Sequence, residues 1–544
     1  MGSQDTKFVK GAFILTLAGI VVKLIGAVYR IPLYSILGSE GIGLYQMGYP
    51  IYAILLTVSS AGLNVAISKV VAERRARGKH AGALAAFRIS LVLMAIIGAL
   101  GSVALYQAAP WIAVKMGHDA RATLSIQAIS PALFLASVLS AFRGWFQGIE
   151  EMTVPAVSQV LEALGRLVTM LLLASALMPR GIEHAAAGAT FGAAVGALVG
   201  VLFTAVAYWM GRHGRPGSRR IAGRGADGGA STPGAVSGGP DEFTWGETAR
   251  AIASIALPIS LASAVFGITE IIDLGLVPGR LHAAGFSTEE ATRLFGQLTA
   301  GAMPLVNIPT VFTGALQMAI VPSVSAAIAL RDRAAVSRRV SKALTLAYAL
   351  GLPAAMGILV LSRQIPVLLY NDPEVGPSLM ACAPAVLFLS LQQVSAGVLQ
   401  GVGKVTVPLI NLMWAAAVKA IVTYALVGVP SIGVVGAGLA TSLHFGVAAV
   451  LNLLAIRRHM GPYAEPGAVL KISAASGGMA VVAGLSYRLM EPFMGLKLAT
   501  VGAIASGALA YFVLAMVLKV FSPEDLASLP VVGRVLGRVI GSKK

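Results

Sequence analysis

The chain has 544 residues, 57% of them hydrophobic and 12% charged, with a mean hydropathy of +0.81. A soluble multidomain protein of this length would not carry that composition, so it reads as a polytopic helical membrane protein. The formal charge of +18 does not point to nucleic acid, because the basic residues cluster between apolar spans, and the single cysteine, Cys382, excludes a disulfide framework or a Cys/His metal site.

Met1 to Lys10 followed by an apolar run resembles a signal peptide, but the run is too long and more spans follow, which predicts an uncleaved first helix. That first span, residues 8–37, carries two cations. Gly19, Lys23, Gly26 and Arg30 fall on one helical stripe, and Lys23 lies roughly 22 Å along it, near the middle of a hydrocarbon core of about 30 Å. Ionisable residues at such depth face a bundle interior or a water-filled cavity. The second span, 43–72, presents Ser60, Asn64 and Ser68 as a polar stripe, followed by Lys69. Spans follow at 82–108, 122–148 with Arg143, 154–178 with the i, i+4 pair Glu162 and Arg166, and 184–211.

Residues 212–246 are rich in Gly, Arg, Ser and Pro and read as a disordered cytoplasmic linker. Eight further spans are expected at 248–278, 294–329, 337–362, 376–401, 405–428, 433–457, 467–490 and 496–520, fourteen in all. Glu270 and Asp273 are spaced i, i+3 on the seventh. They either neutralise the cations of the first helix or bind Na+ or a proton. Pro304, Pro309 and Pro322 are expected to break the eighth span. Lys419, with Ala415 where Glu162 stands in the first half, is expected to be a free cavity cation. Ser522-Pro523-Glu524-Asp525 opens an interfacial helix in a cytoplasmic tail, 522–544.

Loop charge sets the orientation. Arg74, Arg75, Arg77 and Lys79, then Arg212 to Arg224, Arg331 to Lys342, Lys404, and Arg457 with Arg458 all fall on even-to-odd connections, which puts both termini in the cytoplasm. The halves are related: Gln147-Gly148 with Thr153-Val154-Pro155 recurs as Gln400-Gly401 with Thr406-Val407-Pro408, and 400 minus 147 is 253. The same offset links Arg166 to Lys419 and Gly62–Ile67 to Ala315–Ile320. This predicts two six-helix lobes, 1–211 and 247–460, related by a pseudo-twofold axis and suited to alternating access, with 461–521 as two extra helices.

No catalytic or nucleotide-binding constellation is present, so the chain is not expected to be an enzyme. Gly401-Val402-Gly403-Lys404-Val405 lacks both the first glycine and the Ser/Thr of a phosphate loop. Transport would draw on an ion gradient, the membrane potential or the substrate's own gradient, without a cofactor. Cavity cations favour phosphate or pyrophosphate.

Lys23–Leu33, Gly41–Gln46, Ala66–Glu73 and Asn307-Ile308-Pro309-Thr310 resemble the SpoVB/YtgP branch of polysaccharide transporters, close to the MurJ lipid II flippases in the superfamily that also holds the MATE exporters. The resemblance implies flipping of undecaprenyl-pyrophosphate-linked oligosaccharide, above all lipid II, to the outer leaflet of the bacterial cytoplasmic membrane, with the last two helices holding the lipid tail. It carries Lys23 over as a phosphate contact and Arg30 more weakly, and it has no clear counterpart for the helix-two arginine of MurJ. The candidate cavity residues are Lys23, Arg30, Asn64, Lys69, Arg143, Arg166 and Lys419, opposite Glu270 and Asp273. Partners would be the lipid-linked substrate, membrane lipids and the cell-wall synthesis machinery. The alternative is a cation-coupled small-molecule antiporter of the MATE type.

Overall fold

The structure is a computed structural model, and it describes residues 14–213 apart from 16, 20, 23, 24 and 27, then 245–264, 267–460 and 466–520. Residues 214–244 of the expected linker and the whole interfacial tail lie outside the described residues, while 212–213 and 245–246 belong to the flanking helices. Every regular element among the described residues is helical, and eleven helices are long and apolar enough to cross a membrane.

The chain divides into two compact units, Met1–Gly275 and Leu276–Lys544. The first contains α1 (Arg30–Ala76), α2 (His80–Lys115), α3 (Ala122–Gly148), α4 (Thr153–Leu177), α5 (Ile182–His213) and α6 (Trp245–Ala264). Helix α7 (Ile268–Ala283) runs across the division. The second contains α8 (Thr288–Gly296), a π turn (Gln297–Ala302), α9 (Met303–Ala329), α10 (Arg333–Val360), α11 (Gln364–Tyr370), α12 (Val375–Gly401), α13 (Thr406–Val427), α14 (Val434–Met460) and α15 (Pro466–Val517).

Two long runs are bent by glycines in the left-handed region, which a Cβ disfavours. Gly38, at φ 63°, separates the first expected span from the second. Gly495, at φ 72°, folds α15 back on itself. A Cβ at Gly478 would lie 2.6 Å from Leu514 and one at Gly507 would lie 3.1 Å from Ala483, so the two halves of α15 pack antiparallel as a hairpin. Two expectations are corrected. The span at 248–278 is two helices, α6 and α7. Helix α9 continues through Pro309 and Pro322, with Pro304 in its first turn where no donor is needed, and the irregular stretch is the preceding π turn.

The 253-residue offset reappears in the packing. A Cβ at Gly144 would meet Ile67 at 2.9 Å, and one at Gly397 would meet Ile320 at 2.9 Å. Gly98 opposes Ser137 and Phe134 as Gly351 opposes Ser390 and Leu387. The Ser137 hydroxyl donates to the Leu133 carbonyl, and the Ser390 hydroxyl donates to that of Val386. Pro131 and Pro384 occupy matching places inside α3 and α12. Each pair is separated by 253, so the duplication extends to the helix contacts that build both cores.

Candidate functional site

In the amino-terminal unit charged and aromatic side chains come together where α1, α3 and α4 meet. Glu162 on α4 bridges two guanidiniums: Arg143 Nη2 on α3 donates to its Oε2 at 2.8 Å, and Arg166 Nη2 donates to its Oε1 at 3.0 Å. The α4 pair is the i, i+4 ion pair expected from the sequence. Arg143 is further fixed by donating from Nε to Ser158 Oγ at 2.9 Å, and that hydroxyl donates to the Pro155 carbonyl. The three charged side chains are 15–21% exposed. Glu162 therefore holds both arginines in place and offsets only one of their charges.

Arg166 interacts electrostatically with Tyr29, Tyr49 and Tyr52. Arg30 faces Tyr29, Tyr45 and Tyr49, with a side-chain hydrogen bond to Tyr29. The tyrosines form a ladder on α1: the rings of Tyr45 and Tyr49 lie 6.3 Å apart and those of Tyr49 and Tyr52 6.1 Å apart. Spacings of four and three residues place them on one face. The Nε of Arg166 is buried and makes no hydrogen bond among the described residues. Two guanidiniums, phenolic hydroxyls and an unused donor suit an anion with several acceptor oxygens. Glu270 interacts with Tyr49 at the edge of this group, and Asp273, on the same helix, is buried.

The structure thus brings Arg30 and Arg166 to the tyrosines, with Arg143 tied to Arg166 through Glu162. Lys23 lies outside the described residues. Asn64 and Lys69 are further along α1, roughly 18 Å and 25 Å beyond Tyr52 at 1.5 Å per residue. Asn64 packs beside Gly144 with its Oδ1 buried and unbonded. Lys69 is 58% exposed and pairs with Glu73 at 3.8 Å. Lys419, in the other unit, is 2% exposed and lies beside His444, so it is a buried and engaged side chain, which corrects the expectation of a free cavity cation. The tyrosines were missed. Their signal was available as three tyrosines within eight residues of an apolar span.

Each unit also has an ion pair between span ends. Arg121, at the start of α3, donates to Glu40 at 2.6 Å and to Asp119 at 2.8 Å. The hydrogen bonds to Asp119, and then that to Glu40, hold this guanidinium above its ordinary range. In the carboxy-terminal unit Arg293 donates to Glu374, which also accepts from Gln297 at 3.1 Å.

Residues 8–328 match the polysaccharide biosynthesis protein family, and residues 299–425 match the MatE family. Stage V sporulation protein B of Bacillus subtilis (strain 168) is 28% identical over 539 residues, 98% of this chain and 99% of that protein. The lipid II flippase MurJ of the same organism is 25% identical over 474 residues, 84% of each. A solved structure of lipid II flippase MurJ in an inward closed conformation matches with a TM-score of 0.69 at 13% identity, covering 93% of this chain and 98% of that one. That last likeness is one of fold.

Proposed function

This chain belongs to the polysaccharide biosynthesis protein family, as a multi-pass transporter of the bacterial cytoplasmic membrane related to the MOP superfamily, and from that premise we propose that it flips a lipid-linked oligosaccharide, lipid II foremost, to the outer leaflet. The observation that carries this reading is the arginine and tyrosine group of the amino-terminal unit. Arg30 and Arg166 grip the pyrophosphate, Lys23 joins them, and Glu162 with Arg143 positions Arg166. The chain makes fourteen crossings with both termini inside. The hairpin bent at Gly495 accommodates the polyprenyl tail along its exposed Leu485, Leu489 and Leu498. The lobes 1–211 and 247–460 rock about the linker, driven by a Na+ or proton gradient or by the membrane potential. The cell-wall synthesis machinery receives the product.

The test is transfer of fluorescent lipid II across vesicles containing only this protein, read by the fraction that becomes accessible to a membrane-impermeant quencher. Transfer above protein-free vesicles, lost in Arg166→Ala, is the expected result; equal rates in protein-containing and empty vesicles overturn the proposal.

A second reading has one observation in its favour. Asp273 is buried on α7 one turn from Glu270, as a cation-coupled antiporter of the MATE type would require. Resistance to cationic drugs on overexpression, abolished by Asp273→Asn, would select this reading over the first.

A further inference from the structure

Helices α13 and α14 pack antiparallel in a register fixed at two points. Asn411 Nδ2 donates to Asn452 Oδ1 at 2.9 Å, and a Cβ at Gly436 would meet Leu426 at 2.7 Å. Between those points the register sets Lys419 opposite His444, and one turn on it sets Thr423 opposite Thr441. All four side chains are 0–2% exposed. The Ala415 backbone is the one hydrogen-bond partner recorded for the ring of His444, in a geometry too poor to satisfy either nitrogen fully, and the hydroxyls of Thr423 and Thr441 make no hydrogen bond among the described residues. Two hydroxyls and a ring nitrogen left unsatisfied in one seam, each a donor or an acceptor as its proton dictates, are costly unless something mobile satisfies them. The seam continues toward Arg457 and Arg458 at the end of α14. Two turns along, past the buried Ala415 and Ala448, Asn452 donates to Ser395 Oγ at 3.2 Å, and Ser395 donates to the Gln392 carbonyl.

The matching seam of the amino-terminal unit is built differently. Subtracting 253 places Arg166 at the position of Lys419, Glu162 at Ala415 and Phe191 at His444. There a carboxylate balances the cation. Here an imidazole, which can hold or release a proton, stands beside it.

We propose that the Lys419–His444 pair is a proton-binding site of the carboxy-terminal unit. A hydronium entering the seam delivers a proton to a ring nitrogen of His444, making an imidazolium beside the ammonium, and the same nitrogen later returns the proton to water. One O–H bond of the hydronium breaks as the N–H bond forms, leaving water, and the return step is the reverse. Two cations side by side in a low-dielectric seam repel strongly, so the proton alters the force between α13 and α14 when it arrives and when it leaves. The elements packed against α14 are α12, α13 and the π turn. Of the titratable groups described on them, Lys419 faces the ring, Tyr424 is exposed, and Cys382 sits beside Gly438, nearly two turns from His444.

The test is hydrogen–deuterium exchange at the imidazole C2 position, followed by mass spectrometry across pH 3 to 9, on the full chain in phosphatidylethanolamine and phosphatidylglycerol vesicles. The expected result is an inflexion at His444 that moves by about one pH unit in Lys419→Met. A flat profile, as given by a histidine that only fills space, or an inflexion indifferent to Lys419→Met overturns the proposal. In the transport assay, His444→Phe, which copies the residue the first half has at this place, is expected to abolish any acceleration by an imposed pH gradient; retention of that acceleration counts against the site. If the wild type moves no lipid II while His444 titrates with Lys419, the proton site stands and the substrate reading falls.

Discussion

The two units share a framework of helices and differ in the polar groups set into it. Glycines 144 and 397, serines 137 and 390, and prolines 131 and 384 do the same packing work 253 residues apart. At the next layer the copies diverge. The first has Arg143, Glu162 and Arg166 in a bridged cluster facing tyrosines, whereas the second has Lys419, His444 and two threonines in a closed seam. Helix packing was retained because a core tolerates few alternatives, while the polar positions were free to take separate tasks.

The sharpest way to break that contrast is at Glu162. Removing it leaves two mostly buried guanidiniums without their shared counter-charge, and breaking a buried ion pair from one side costs about 3–5 kcal/mol. Glu162→Ala is expected to lower the thermal unfolding midpoint of the purified protein far more than Ser158→Ala, which removes only one hydrogen bond to Arg143. Double replacement with Arg143→Met should recover part of the loss. An unchanged midpoint in Glu162→Ala would mean that the cluster is solvated and that the two units do not differ in the way described.

The framework itself predicts a paired outcome of intermediate size. A Cβ at Gly144 would stand 3.0 Å from the Asn64 carbonyl oxygen, and one at Gly397 would stand 2.9 Å from that of Gln317. Backbone cannot yield as a side-chain tip can, so Gly144→Ala and Gly397→Ala should each destabilise by about 1–3 kcal/mol. Equal shifts in unfolding midpoint would support equivalent packing; a shift in one and none in the other would break the equivalence.

Much of this framework was legible in the sequence. Apolar length placed 122–148 and 376–401 within a residue of α3 and α12, because charges and turn residues end those runs sharply. The repeat was legible wherever small or polar residues are forced by close helix approach. The tyrosine ladder was harder to read, since a tyrosine in an apolar span signals either packing or a hydroxyl facing a site, and only the facing helix decides which. Lys419 misled for the same reason: the absence of an acid one turn away on its own helix says nothing about α14, which supplies His444. The prolines of α9 signal breaks in the sequence, because the first-turn tolerance of Pro304 and the upstream π turn depend on where the helix starts.

The smallest expected effect tests the most unusual contrast, the inversion of charge between the span-end ion pairs. Glu40 and Arg121 are 81 residues apart, as are Arg293 and Glu374, and adding 253 to the first pair gives the second with acid and base exchanged. The exchange shows that this position requires opposite charges and is indifferent to which helix carries which. The groups are 29–54% exposed, so their coupling is limited to about 0.5–1 kcal/mol. In a double-mutant cycle, Glu40→Arg and Arg121→Glu should each destabilise, and the double variant should recover that coupling. Recovery should stop short of wild type, because Asp119 is 2% exposed and accepts two hydrogen bonds from Arg121 that a glutamate cannot donate. A zero coupling would show the pairing to be incidental, whereas full recovery would show that Asp119 draws its support from elsewhere.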